Sequence, residues 1–184
     1  MHAFLTSSIT VALAEIGDKT QLLSLVLAAR FKNKWAIIGG ILVASMLNHG
    51  VSAWLGSWIA QFLQSNTGKI LIGASFIALA VWLLIPDKES DIDKKFDKYG
   101  AFLVATTLFF FAEIGDKTQI ATVLLGAQFK SIFWVTLGTT LGMLVANVPV
   151  VFAGNYIMKF IPLNTTRIIA AMAFALVGIV HMLN

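Results

Sequence analysis

One charged hexapeptide, written twice inside long apolar runs, limits what this chain can become more than any other feature. Glu15-Ile16-Gly17-Asp18-Lys19-Thr20 recurs as Glu113-Ile114-Gly115-Asp116-Lys117-Thr118, and a glutamine follows each copy. The other carboxylates, Asp87, Glu89, Asp91, Asp93 and Asp97, lie together in one polar stretch. Ionised groups at membrane depth are costly and mark pathways for ions or protons. The repetition predicts two matching halves of one site.

The surrounding sequence calls for a membrane. Of the 184 residues, 58% are hydrophobic and only 12% charged, about half the charge fraction of a soluble domain. A net charge of +4 does not indicate a nucleic-acid partner, because the bases are spread over short loops and build no patch. The chain has no cysteine, which excludes disulfides and thiolate metal sites. No cleavable leader is expected, since Met1-His2-Ala3-Phe4 lacks a basic start and Glu15, Asp18 and Lys19 interrupt the first apolar stretch.

Hydropathy predicts an all-α integral membrane protein with six spans, each near the ~20 residues that cross the hydrocarbon. They run from Leu5 to Ala29, Trp35 to Phe62, Ile70 to Ile85, Gly100 to Ala127, Ile132 to Ile157 and Ile168 to Leu183. Similarity extends beyond the hexapeptide: Phe31-Lys32 matches Phe129-Lys130, and Trp35, Gly39 and Asn48 match Trp134, Gly138 and Asn147. Residues 1–86 and 100–184 are therefore expected to form two three-helix repeats. Residues 87–99 form a charged linker, read as a solvated connector rather than a calcium loop because Ile92 and Lys98 replace its glycine and glutamate. Three spans per half is an odd number, so the second repeat enters from the opposite side and the two motifs meet around a pseudo-two-fold axis near the midplane.

Lysine and arginine predict the orientation. Arg30, Lys32, Lys34, Lys88, Lys94, Lys95, Lys98, Lys159 and Arg167 fall on one side, and Lys69 with Lys130 on the other. The richer side is expected to be cytoplasmic, with the linker there and both termini outside.

On a continuous helix, Glu15 and Asp18 would share one face with Gln21 extending the stripe, and Glu113, Asp116 and Gln119 would repeat it. Gly17 and Gly115 would permit either close helix approach or local unwinding. The expected ligand set is all oxygen: the four acids, with Thr20, Thr118, Gln21, Gln119, Asn48 and Asn147 as further ligands or path-lining groups. Such donors suit magnesium, calcium and manganese better than zinc or copper. Lys19 and Lys117 balance part of the charge, leaving −2 for a divalent cation to neutralise. Burial and mutual repulsion favour proton uptake by the cluster, and metal binding then expels those protons. Asn48 and Asn147 read equally well as interhelical hydrogen-bonding groups. His49 has no counterpart in the second half and reads as a packed polar residue rather than a ligand.

The twin E-x-G-D-[KR]-[TS] motif resembles that of a small cation/proton antiporter family containing bacterial and cyanobacterial manganese exporters. Golgi and chloroplast manganese/calcium transporters resemble it too. The resemblance implies proton-coupled export of Mn²⁺ across a bacterial inner membrane, with Glu15, Asp18, Glu113 and Asp116 as the metal site. It implies transport rather than catalysis, no prosthetic group, and the lipid bilayer as partner; a homo-oligomer is compatible with it. A Ca²⁺/H⁺ antiporter using the same residues and a passive divalent-cation channel are the rival readings. An ion sensor, an amino-acid exporter, an intramembrane protease and a purely structural ion pair within each motif explain the repetition less well.

Overall fold

A computed structural model describes residues 1–85, 99–154, 156 and 163–183, in which all regular structure is helical. Among the described residues there are eight α-helices: α1 His2–Glu15, α2 Lys19–Arg30, α3 Lys34–Ile59, α4 Asn66–Leu83, α5 Ala101–Glu113, α6 Lys117–Phe129, α7 Ile132–Ala153 and α8 Leu163–Leu183. Within the described residues α3, α4, α7 and α8 are long and apolar enough to cross a membrane. The charged linker from Asp87 to Lys98, and Lys159 with it, lie outside the described residues.

The first and fourth apolar runs are not continuous helices. α1 stops at Glu15 and α2 starts at Lys19; α5 stops at Glu113 and α6 starts at Lys117. Each break falls on the Ile-Gly-Asp of a motif, where Gly17 has φ 83° and Gly115 φ 73°. That left-handed conformation is steric strain for any residue carrying a Cβ and routine only for glycine. The expected acidic stripe along one helix face therefore does not form. Glu15 and Glu113 instead close one half-helix, while Asp18 and Asp116 sit in extended conformation at the N-cap of the next.

The glutamine after each motif helps hold the break. Gln21 Oε1 accepts the Gly17 N–H at 2.8 Å, and Gln119 Oε1 accepts the Gly115 N–H at 2.7 Å. This resembles a capping box shifted by one residue, satisfying a donor that the broken helix would otherwise orphan.

Polarity is distributed inside out. Glu15, Asp18, Gln21, Ser45, Asn48, His49, Glu113, Asp116 and Asn147 are buried, while Val51, Trp54, Phe111, Val145 and Leu176 are exposed. Water would reverse that arrangement, whereas hydrocarbon on the outside favours it.

Packing brings matching helices together in opposite directions. Lys34 at the start of α3 donates to the Phe152 carbonyl near the end of α7 at 3.0 Å, so these two helices run antiparallel. α4 and α8 are also antiparallel, crossing so closely that a Cβ on Gly178 would lie 2.7 Å from the Gly73 carbonyl oxygen. Small residues permit such crossings where lipid supplies no hydrophobic drive. α1 packs along α7, and α5 along α3. Among the described residues the α4–α8 pair touches α1 and α6 and has at most marginal contact with α2 and α5, so the described helices are not packed symmetrically.

Candidate functional site

The two helix breaks face each other. Glu15, Asp18 and Asp116 are buried, and one ligand-type oxygen of each lies within 4.8 Å of the others. Glu113 is within electrostatic range of Glu15 and Asp116. Four carboxylates from distant parts of the chain thus occupy one region.

Several groups in the region have an identifiable holder. Thr20 donates to Glu15 Oε2 at 2.5 Å, and Thr118, from the other motif, donates to Glu15 Oε1. Both motif hydroxyls therefore go to one glutamate. Lys19 crosses in the opposite sense and meets Asp116 Oδ1 at 2.9 Å. On a continuous helix Lys19 would pair with Glu15 of its own motif; across the break its direct ion pair is with Asp116 of the other motif, while it stays within electrostatic range of Glu15. Lys117 donates instead to the Ile85 carbonyl at 2.5 Å, and Asp116 Oδ2 is buried without a hydrogen-bond partner.

Glu113 turns toward α3. Ser45 Oγ lies 3.3 Å from Oε1, and Asn48 Nδ2 lies 3.3 Å from Oε2 while also donating to the Phe110 carbonyl at 3.0 Å. His49 Nε2 is 3.5 Å from the same Oε2. The repeat counterpart Asn147 behaves differently: its Oδ1 accepts from Ser24 at 2.7 Å, and it donates to the Met143 carbonyl. Gln21 is likewise committed, its Nε2 donating to the Ala146 carbonyl at 2.9 Å. Asn48 is thus on a motif acid, whereas Asn147, Gln21 and Gln119 bond the scaffold around it.

Sequence reasoning did not single out Ser45, whose counterpart in the second half is Leu144, so a search by repetition passes over it. His49, read as a packed polar residue, is fully buried beside Glu113. A small cavity of about 10 Å³ beside Asp18 is lined by Leu83, Lys117, Thr118 and Arg167 among others. It is about the size of one water-sized particle.

Chemically, the region offers carboxylate and hydroxyl oxygens that a hard divalent cation can bind, with positive charge on both sides to offset the acids. Its shape depends on the glycine breaks. A Cβ on Gly115 would meet nothing within 4 Å, so Gly115→Ala should cost only the backbone term, about 1 kcal/mol. Gly115→Asn should lose less, because asparagine enters the left-handed region more readily. Thermal unfolding in detergent checks this ranking; equal losses would mean that the positive φ is not what requires glycine.

The chain matches the family model described as "Divalent cation/proton antiporter GDT1" over residues 3–91 and 101–184. It is 47% identical over 180 residues to a Vibrio cholerae protein named "Putative manganese exporter", covering 97% of this chain and 90% of that one. A GDT1-like protein of Synechocystis is 27% identical over 199 residues, covering 98% of this chain and 96% of the relative. A GDT1-like protein of Schizosaccharomyces pombe is 32% identical over 88 residues, covering 48% of this chain and 32% of the relative. No solved structure matches.

Proposed function

The chain belongs to the divalent cation/proton antiporter family GDT1, and on that premise we propose that it exports Mn²⁺ from the cytoplasm in exchange for protons. The name of the Vibrio cholerae relative favours manganese as the ion. The observation that carries the site is the convergence of Glu15, Asp18 and Asp116 oxygens within 4.8 Å across the two motifs.

The architecture proposed is six spans in two inverted repeats, 1–86 and 100–184, joined by the linker 87–99. α1 with α2 and α5 with α6 count as one broken span each. The antiparallel pairing of α3 with α7 and of α4 with α8 supports it, since matching helices of inverted repeats run in opposite directions. Lys69 and Lys130 are both within electrostatic range of His181, which supports one basic-poor end carrying the C-terminus. By the positive-inside bias that end is outside, and the linker is cytoplasmic. A bacterial inner membrane completes this reading.

In the cycle, Glu15, Asp18, Glu113 and Asp116 hold the ion, and Thr20 and Thr118 orient Glu15. Lys19 and Lys117 keep the cluster's charge near what one divalent ion neutralises. Protons and metal compete for the same oxygens, so loading one releases the other. Arg167, from the basic-rich side, lines the small cavity beside Asp18, which supports access to the site from the cytoplasm. Expelling a divalent ion against an inside-negative potential costs about 4.6 kcal/mol per 100 mV. Exchange for two protons cancels that electrical component.

Proteoliposomes recording Mn²⁺, Ca²⁺ and internal pH together test the proposal. Mn²⁺ movement with opposite proton movement is the expected result. Exchange of Ca²⁺ alone would reassign the ion, and metal flux without proton counterflow would indicate a channel.

A further inference from the structure

The site departs from its own internal symmetry in a concerted way. Ser45, His49 and Thr140 are polar where the repeat has Leu144, Val148 and Ile41, and all three are buried. They are also linked: His49 Nδ1 lies 3.4 Å from Thr140 Oγ1, and Nε2 lies 3.5 Å from Glu113 Oε2. His49 is fully buried, and its Nε2 has no hydrogen-bond partner. An imidazole nitrogen enclosed without a partner and aimed at a carboxylate is an unmet donor or acceptor that needs a reason.

We infer that His49 Nε2 is a nitrogen ligand to the transported ion on the Glu113 side of the site, and that it selects Mn²⁺ over Ca²⁺. The inference rests on the divalent-cation reading above. The geometry suits it. With bonds of roughly 2.2 Å, between the Mg²⁺ and Ca²⁺ ranges, two ligand atoms 3.5 Å apart subtend an angle of roughly 105°, close to neighbouring positions of an octahedron. The Thr140 hydroxyl can accept from Nδ1–H, which fixes the ring and leaves the Nε2 lone pair toward Glu113. Such an outer partner is the usual means of orienting a metal-ligating histidine. Ca²⁺ takes oxygen almost exclusively, whereas transition ions accept imidazole. One nitrogen in an otherwise oxygen-lined site therefore lowers affinity for Ca²⁺ relative to Mn²⁺, which four carboxylates alone would not do.

The test uses purified full-length protein with Mn²⁺ as the paramagnetic probe. Pulsed EPR should detect nitrogen coupled to the bound metal, and histidine-selective ¹⁵N labelling should change that signal without any substitution. His49→Gln and His49→Asn should both abolish it while Mn²⁺ still binds through the carboxylates. In proteoliposomes of either variant, apparent affinity for Mn²⁺ should fall about tenfold or more relative to that for Ca²⁺. Bound Mn²⁺ with no nitrogen coupling, or coupling that survives both variants, overturns the ligand assignment and leaves the antiporter reading intact. Absence of Mn²⁺ binding by the unsubstituted protein overturns both.

Discussion

Glu15→Gln should reduce Mn²⁺/H⁺ exchange by about 100-fold or more, the upper end of what loss of a metal-site partner costs, while the protein remains folded. Glu15 is fully buried and accepts from Thr20 and Thr118, so an amide of the same shape fits between the two hydroxyls once one of them turns to accept from its NH2. What it loses is the charge that binds metal and the ability to bind a proton in its place. Removing a buried charge is not expected to weaken the fold, so the melting temperature in detergent should hold or rise. Glu113→Gln should behave alike, although its holders are Ser45 and Asn48 on α3. Normal transport by either variant would remove that glutamate from the site; a loss of transport together with a lower melting temperature would indicate damage to packing.

The second large effect concerns the ion pair that crosses between motifs. Lys19 meets Asp116 at 2.9 Å, with Asp116 buried and Lys19 one-quarter exposed. Lys19→Met leaves the Asp116 charge buried without that compensation. A cost of about 3 kcal/mol follows, the low end for a broken buried pair because the lysine is partly solvated. Adding Asp116→Asn should recover much of the loss, and a double-mutant cycle should give a coupling of about 1–3 kcal/mol. Transport should change in a diagnostic direction. With one positive charge fewer, the cluster holds a divalent ion more tightly, so Lys19→Met should lower KM for Mn²⁺ and lower the maximal rate as release slows. Additive stability effects, or a raised KM, would contradict the role assigned to the pair.

Much of this was legible because the chain states it twice. The motif acids stand out as charges in apolar runs, and their recurrence made a shared site the natural reading. The bounds of α3 and α4 also follow hydropathy to within a few residues. The helix breaks were legible only as one of two alternatives at Gly17 and Gly115, local unwinding or close helix approach. A hydropathy window averages across Ile16-Gly17-Asp18, so two half-helices read as one span, and the face expected to carry Glu15, Asp18 and Gln21 does not exist. The Lys19–Asp116 pair was hidden for a related reason: spacing along one segment reveals neighbours on that segment, not partners across the bundle. Gln21 and Gln119 read as further ligands or path-lining groups; that their oxygens hold the Gly17 and Gly115 amides could not be read from spacing. Ser45 was passed over because its counterpart is Leu144, and His49, facing Val148 in the repeat, was read only as a packed polar residue; repetition is blind to a role that only one half possesses.

The central claim is that a metal ion and protons occupy the same carboxylates in turn. Titrating Mn²⁺ into the purified protein in weakly buffered detergent solution, with bound metal and pH recorded together, tests it without a membrane or a gradient. The account predicts acidification that rises with bound Mn²⁺, saturates with it, and is sharply reduced in Glu15→Gln. Saturable Mn²⁺ binding with no proton release would contradict it.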